Sequence, residues 1–266
     1  MKCKEIISIF EEQLAPLKYA ESWDNVGLLI GDEEKQIHKI MIALDATKDV
    51  ILQAIEGKAD MLITHHPMVF SPIKKITYDD FTGRRIIDII RNDISYYAMH
   101  TNFDAMVMAN VAAKSLNLTD TSVLKPDIKK ENQGFGQYGY LKDKMTLEEC
   151  AAYVKKQFRL NYVNVVGDGK RKVSFVAVSP GSGKSMIEAA LLAGVDVLIT
   201  GDIDHHNAID AYEQGLCIID GGHFGTEHLM VDYVKQYLME YLKTYYHGSE
   251  DIQILTANEH SPFVIM

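Results

Sequence analysis

Cysteine is scarce: the 266 residues hold three, Cys3, Cys150 and Cys217, odd in number and far apart. With no CxxC pair, neither a disulfide framework nor a thiolate-held zinc is expected, and the reducing cytoplasm is the expected compartment. Proline (6) and glycine (18) are too few for a collagen-like or linker-rich chain. Basic residues are outnumbered, 27 Lys+Arg against 37 Asp+Glu, which leaves a formal net charge of −10. No global field then favours nucleic acid or an anionic membrane. Apolar runs stay short of the roughly 18 residues that a spanning helix needs. Glu5, Glu11 and Glu12 interrupt the first apolar run, so an amphipathic helix rather than a signal peptide is expected there. No serine lies in a GxSxG setting, so covalent catalysis has no motif to support it.

What remains is ordinary for a globular chain: 47% hydrophobic and 24% charged residues. Strand-like and helix-like periodicities alternate along it. Strands are expected over 37–45, 60–64 and 94–99, with helices over 48–57, 83–92 and 104–116. The polar, aperiodic stretch 119–133 reads as a crossing into a second lobe. Beyond it, strands are expected over 136–141, 161–166, 172–178, 195–200, 216–220 and 251–256. Helices are expected over 146–158, 184–193, 204–214 and 225–246. This alternation predicts an α/β fold with parallel or mixed sheets. The lobe boundaries that follow are 1–125 plus 226–266, and 126–225.

An internal repeat runs through the pattern. Residues 59–64 read ADMLIT and residues 195–200 read VDVLIT. The first strand runs into His65-His66 and the second into Gly201-Asp202. In each half the next strand ends in a histidine followed four residues later by an acid: His100 and Asp104, then His223 and Glu227. Two matched features in the same order indicate duplication, with the chemistry shared between related lobes.

Seven of the ten histidines cluster: His65 and His66 with His100, His205 with His206, and His223 with His228. They fall at the carboxyl ends of expected strands, where α/β proteins build sites. Adjacent His65 and His66 leave a strand in different directions, which suits one ligand to each of two neighbouring ions. In HxxxD and HxxxE, positions i and i+4 share a helical face. Imidazole and carboxylate without thiolate suit Zn, Fe, Mn or Ni. Asp24, in Trp23-Asp24-Asn25-Val26-Gly27, reads either as a partner that orients a ligating histidine or as a turn acid. Residues 179–185, SPGSGKS, look like a phosphate loop but carry Val178 where that motif needs its first glycine. An anion-holding turn and a tight strand–helix turn both stay open there.

Taken together, WDNVGLLIGD (23–32), ITHHP (63–67), HTNFD (100–104), GSGKS (181–185), TGDIDHH (200–206) and GGHFGTE (221–227) resemble the Nif-three-like dinuclear-metal-centre family, the GTP cyclohydrolase 1 type 2 homologues. The resemblance spans about residues 5–260 and matches the short form without an inserted middle domain. It implies two similar α/β lobes, mixed sheets flanked by helices, facing each other across a metal-binding cleft. It implies a toroidal homohexamer and two divalent ions per chain on His65, His66, Asp104, His223 and Glu227, with Glu227 bridging. His100 and His206 match recurrent positions near that site and are expected to serve catalysis or substrate contact. Many members carry Glu where this chain has Asp202, which keeps the charge. The function implied is a metal-dependent hydrolase of a small or nucleotide-like substrate. A non-catalytic metal-delivery protein or a regulatory scaffold would use the same ligands.

Overall fold

The structure is a computed structural model that describes residues 1–127, 133–246 and 251–266. In chain order the first elements are α1 (Cys3–Ser8, continued by a π-type turn over Ile9–Leu14), β1 (Gly27–Ile30), β2 (Lys39–Asp45), α2 (Lys48–Glu56), β3 (Met61–His66), α3 (Phe81–Arg91), β4 (Ser95–Ala98), α4 (Thr101–Phe103) and α5 (Ala109–Ser115). Next come β5 (Thr119–Pro126), β6 (Gly134–Thr146), α6 (Leu147–Gln157), β7 (Asn164–Val166), β8 (Lys172–Ser182), α7 (Ile187–Ala193), β9 (Val197–Gly201), α8 (His205–Glu213) and β10 (Cys217–Asp220). The chain closes with α9 (His223–Glu227), α10 (Leu229–Tyr245) and β11 (Gln253–Thr256).

These elements form two units. Met1–Phe103 with Met230–His260 make the first, and Asp104–Leu229 with Ser261–Met266 the second. The chain therefore crosses at Phe103/Asp104, earlier than the 125/126 boundary expected from composition. The reason is β5. Its residues are mostly exposed and aperiodic, so hydrophobic pattern gives no strand signal. It is nonetheless an edge strand, paired antiparallel with β6 from Thr119↔Tyr140 to Pro126↔Gly134. The rest of that polar stretch, 128–132, lies outside the described residues. Another difference is the helix expected over 225–246, which is two helices with a turn at His228.

The first unit carries a five-stranded sheet in the order β1-β4-β3-β2-β11. All neighbours are parallel except β1 and β4. Alternation along the strands splits the sheet into two faces. Met41, Ala43, Leu62 and Tyr96 pack with Val50, Ile51 and Ala54 of α2 and Ile89 of α3. On the other face Tyr97 stacks on Phe10, ring centroids 5.9 Å apart.

The second unit carries a six-stranded mixed sheet in the order β5-β6-β8-β9-β10-β7. Val176, Val178, Val197 and Ile199 meet Ala112 of α5 with Cys150 and Val154 of α6 on one face. Ala177, Leu198 and Ile218 meet Ile187 and Ala190 of α7 and Ala211 of α8 on the other. Burial of each such Val, Leu or Ile side chain stabilises by roughly 1.5–3 kcal/mol. Helix α6 starts where it does because Thr146 and Glu149 form a capping box: Thr146 Oγ1 accepts from Glu149 N–H (3.1 Å), and Thr146 N–H donates to Glu149 Oε2 (2.7 Å).

The repeat seen in sequence extends to topology. Each unit has three parallel strands, β2-β3-β4 or β8-β9-β10, with helices between them and a short antiparallel strand, β1 or β7, beside the third. The two LIT strands are the middle ones. The aspartate before each does the same work. Asp60 Oδ2 accepts from the N–H groups of His38 and Lys39, both at 2.8 Å. Asp196 Oδ2 accepts from those of Ser174 (2.8 Å) and Phe175 (3.0 Å). Each carboxylate pins the start of the preceding strand, so the repeated Asp is a structural clamp.

Candidate metal centre

In the first unit the histidines gather at the carboxyl ends of β3 and β4. His65 is fully buried and His66 partly exposed. Their ring centroids lie 4.7 Å apart with the planes inclined by 57°, and His100 lies 5.2 Å from His65 and 5.5 Å from His66. His66 is the last residue of β3, where the ladder no longer holds the chain to the pleat, and Pro67 follows. One ligand atom from each of the three rings lies within 4.8 Å of the others.

Each ring is oriented through Nδ1. His65 Nδ1–H donates to the Met99 carbonyl (2.9 Å). His66 Nδ1–H donates to Asp45 Oδ1 (2.9 Å), and His100 Nδ1–H to Asp24 Oδ1 (2.9 Å). A neutral imidazole with Nδ1 as donor presents its Nε2 lone pair to a ligand. The Asp45 contact comes from parallel register, because Asp45 pairs with His66 across β2 and β3. No spacing in the sequence pointed to it. Glu259 holds that strand end by accepting from the N–H groups of Leu44 (2.7 Å) and Asp45 (3.0 Å). Its burial raises its own carboxyl pKa against those bonds.

Asp24 is an orienting partner, not merely a turn acid. Besides His100, it accepts from Thr101 N–H (2.9 Å) and from the Thr101 hydroxyl. Burial pushes its carboxyl upward, but the bonds from His100 and Thr101 outweigh burial and hold it at about 2. Tyr96, which sequence reasoning also missed, fixes the turn after His66. Its hydroxyl accepts from Met68 N–H (2.8 Å) and donates to the His66 carbonyl (3.0 Å), and burial pushes its pKa up to about 12.

In the second unit His223 opens α9 and Glu227 closes it. One helical turn brings His223 Nε2 to 3.0 Å from Glu227 Oε2, as the i,i+4 spacing predicts. His223 Nδ1–H donates to Asp202 Oδ2 (2.7 Å). Asp202 holds a positive φ of 56°, a conformation that aspartate tolerates better than most side chains. Glu227 is buried. Gly181 explains the GSGKS segment. A Cβ there would lie 2.1 Å from Glu227 Oε1 and 3.5 Å from His223 Nε2, and its φ is +74°. The following α7 has seven residues, too short to carry an anion site of its own. This segment is a tight turn that makes room for a carboxylate.

Asp104 lies half-buried four residues after His100 and begins a π-type turn, Asp104–Met108. Such turns are rare and recur at functional sites. His205 and His206 are exposed on the first turn of α8, their centroids 5.4 Å apart. Among the described residues neither joins a metal-competent group.

A family model for Duf34/NIF3 (NGG1p interacting factor 3) matches residues 1–260. The chain belongs to the Duf34/NIF3 family. A GTP cyclohydrolase 1 type 2 homolog from Clostridium acetobutylicum is 40% identical over 230 residues, covering 85% of each chain. A homolog of the same name from Clostridium perfringens is 34% identical and covers 97% of each. The crystal structure of a Bacillus cereus protein related to NIF3 superposes with a TM-score of 0.93 at 28% identity, covering 100% of this chain and 99% of that one. This NIF3 chain thus has the α/β fold of its family, and its histidines and carboxylates form groups that can hold a metal.

Proposed function

We propose that this NIF3-family chain is a metal-dependent hydrolase of a small, nucleotide-like substrate, with two divalent ions on His65, His66, Asp104, His223 and Glu227. One observation carries the reading. Four histidines in two units all have Nδ1 donated to a carbonyl or carboxylate, which is how proteins prepare imidazole for a cation. The nitrogen and oxygen donors fit Zn, Fe, Mn or Ni. When bound, two such ions polarise the attacked group and lower the pKa of water toward neutrality.

The chain's own contribution is orientation and proton handling. Asp45, Asp202 and the Met99 carbonyl hold three rings in the ligating tautomer. His100, backed by the ionised Asp24, can accept a proton and be stabilised as imidazolium. The nucleotide-like substrate is suggested by the relatives' name, GTP cyclohydrolase 1 type 2 homolog. The assembly proposed with it is a toroidal homohexamer, which light scattering tests.

The experiment is metal analysis of the purified chain and of Glu227→Ala, followed by a cyclohydrolase, nucleotidase and phosphatase panel. Two ions per wild-type chain, with loss in the variant and turnover abolished by chelation, is the expected result. Turnover indifferent to chelation refutes the hydrolase reading. Full metal load without turnover on any substrate moves the chain to metal carriage.

A further inference from the structure

Beside the three-histidine group stands an aromatic pair that the metal does not explain. Trp23 and Phe70 are 56% and 52% exposed, costly for large apolar rings. Their centroids lie 5.6 Å apart with planes tilted by 41°, so they form an open wedge rather than stacking closed. Both present themselves to His100, at 6.1 Å from Trp23 and 6.0 Å from Phe70. The two loops that carry them are tied together. Asn25 Nδ2 donates to the Val69 carbonyl (2.6 Å), and Glu21 N–H donates to Thr101 Oγ1 (2.9 Å). Between these bonds, Asp24 is held by His100 and Thr101. Trp23 is thus presented on a backbone braced on both sides, the arrangement of a pre-formed site.

We propose that Trp23 and Phe70 are the platform on which a planar heteroaromatic ring of the substrate stacks, its edge directed at His100. The inference deepens the hydrolase reading and rests on it for its purpose. Rings of this kind accept any π-face, and each stacked base is worth about 5- to 150-fold in affinity. A cationic ligand would also suit bare aromatic faces. Here it would lie beside a group that gathers divalent cations and be repelled by them. A neutral ring with an anionic tail meets no such penalty. The same placement accounts for two apolar rings left in solvent next to the half-buried His100.

Trp23 is the only tryptophan, so its fluorescence reports the platform without labelling. Guanosine and GTP should quench it saturably, after correction against free tryptophan amide, and inorganic triphosphate should not. Phe70→Ala should weaken guanosine binding at least about fivefold, and Phe70→Tyr should restore it. Both sites are exposed, and circular dichroism confirms folding. Metal content is measured on the same samples. Absent guanosine quenching with metal fully loaded overturns the platform alone. Saturable quenching in a chain that binds no metal overturns the hydrolase reading alone. Equal guanosine affinity in wild type and Phe70→Ala overturns the platform, as does tighter quenching by choline than by guanosine. If guanosine does not bind and Phe70→Ala lowers the mass seen by light scattering, the rings belong to an interface and the platform falls.

Discussion

Gly181→Ala separates what a glycine does for stability from what it does for the site. At φ +74° an alanine costs about 1–2 kcal/mol from conformation alone. Its Cβ would also fall 2.1 Å from Glu227 Oε1. That atom is the end of a flexible side chain, so the contact is relieved by swinging the carboxylate rather than by moving backbone. The swing breaks the 3.0 Å approach of Glu227 Oε2 to His223 Nε2. The expected stability loss is therefore close to the conformational cost, and the functional loss is much larger. Gly194→Ala is the control, because Gly194 has a φ of +72° and nothing within 4 Å of its would-be Cβ. Both variants should lose about 1–2 kcal/mol in urea denaturation. Metal titration should show affinity at least about tenfold weaker in Gly181→Ala, the scale for displaced metal-site support. Gly194→Ala should match wild type. Wild-type metal affinity in Gly181→Ala would refute the argument, because the carboxylate would then have no role that its position controls.

Other expectations can be checked on the same protein. Asp60→Ala and Asp196→Ala each remove two bonds from a carboxylate to backbone N–H groups, and each should cost about 1.5–3 kcal/mol by urea denaturation. A loss in only one would show that the two clamps are not equivalent. For Glu149, the backbone bond at Thr146, the Thr146 side chain and the Lys172 charge hold the carboxyl below its usual value. Its folded pKa is depressed, so its stabilisation is complete above the unfolded value of about 4.3 and fades as pH falls through the lower folded value. The stability gap between wild type and Glu149→Gln should therefore close below about pH 4, and a constant gap would contradict the cap. His206→Ala should leave metal content unchanged and lower turnover about 10²-fold or more on the substrate found by the panel. Lost metal would make His206 a ligand, and unchanged turnover would leave it a helix-start residue.

Periodicity determined most elements, because burial on one face writes a period of two or 3.6 into the residues themselves. Strands ADMLIT and VDVLIT and most of the helices were legible for that reason, and the i,i+4 spacing of His223 and Glu227 was legible from helical geometry. Strand β5 was not, because an exposed edge strand is held by backbone bonds to β6 that leave no mark in side-chain pattern. The same limit applied to the site. Sequence placed histidines at strand ends, but the partner of each Nδ1 is a matter of register and loop path. Asp45 reaches His66 only because β2 and β3 are parallel and paired at that position. Asp24 reaches His100 across 76 residues of chain. The sequence left the GSGKS segment open between an anion-holding turn and a tight strand–helix turn, and only packing showed that a Cβ on Gly181 would meet Glu227. Composition and spacing decide which donors a chain owns. The fold decides which nitrogen of each imidazole faces a ligand, because that depends on what lies behind the ring.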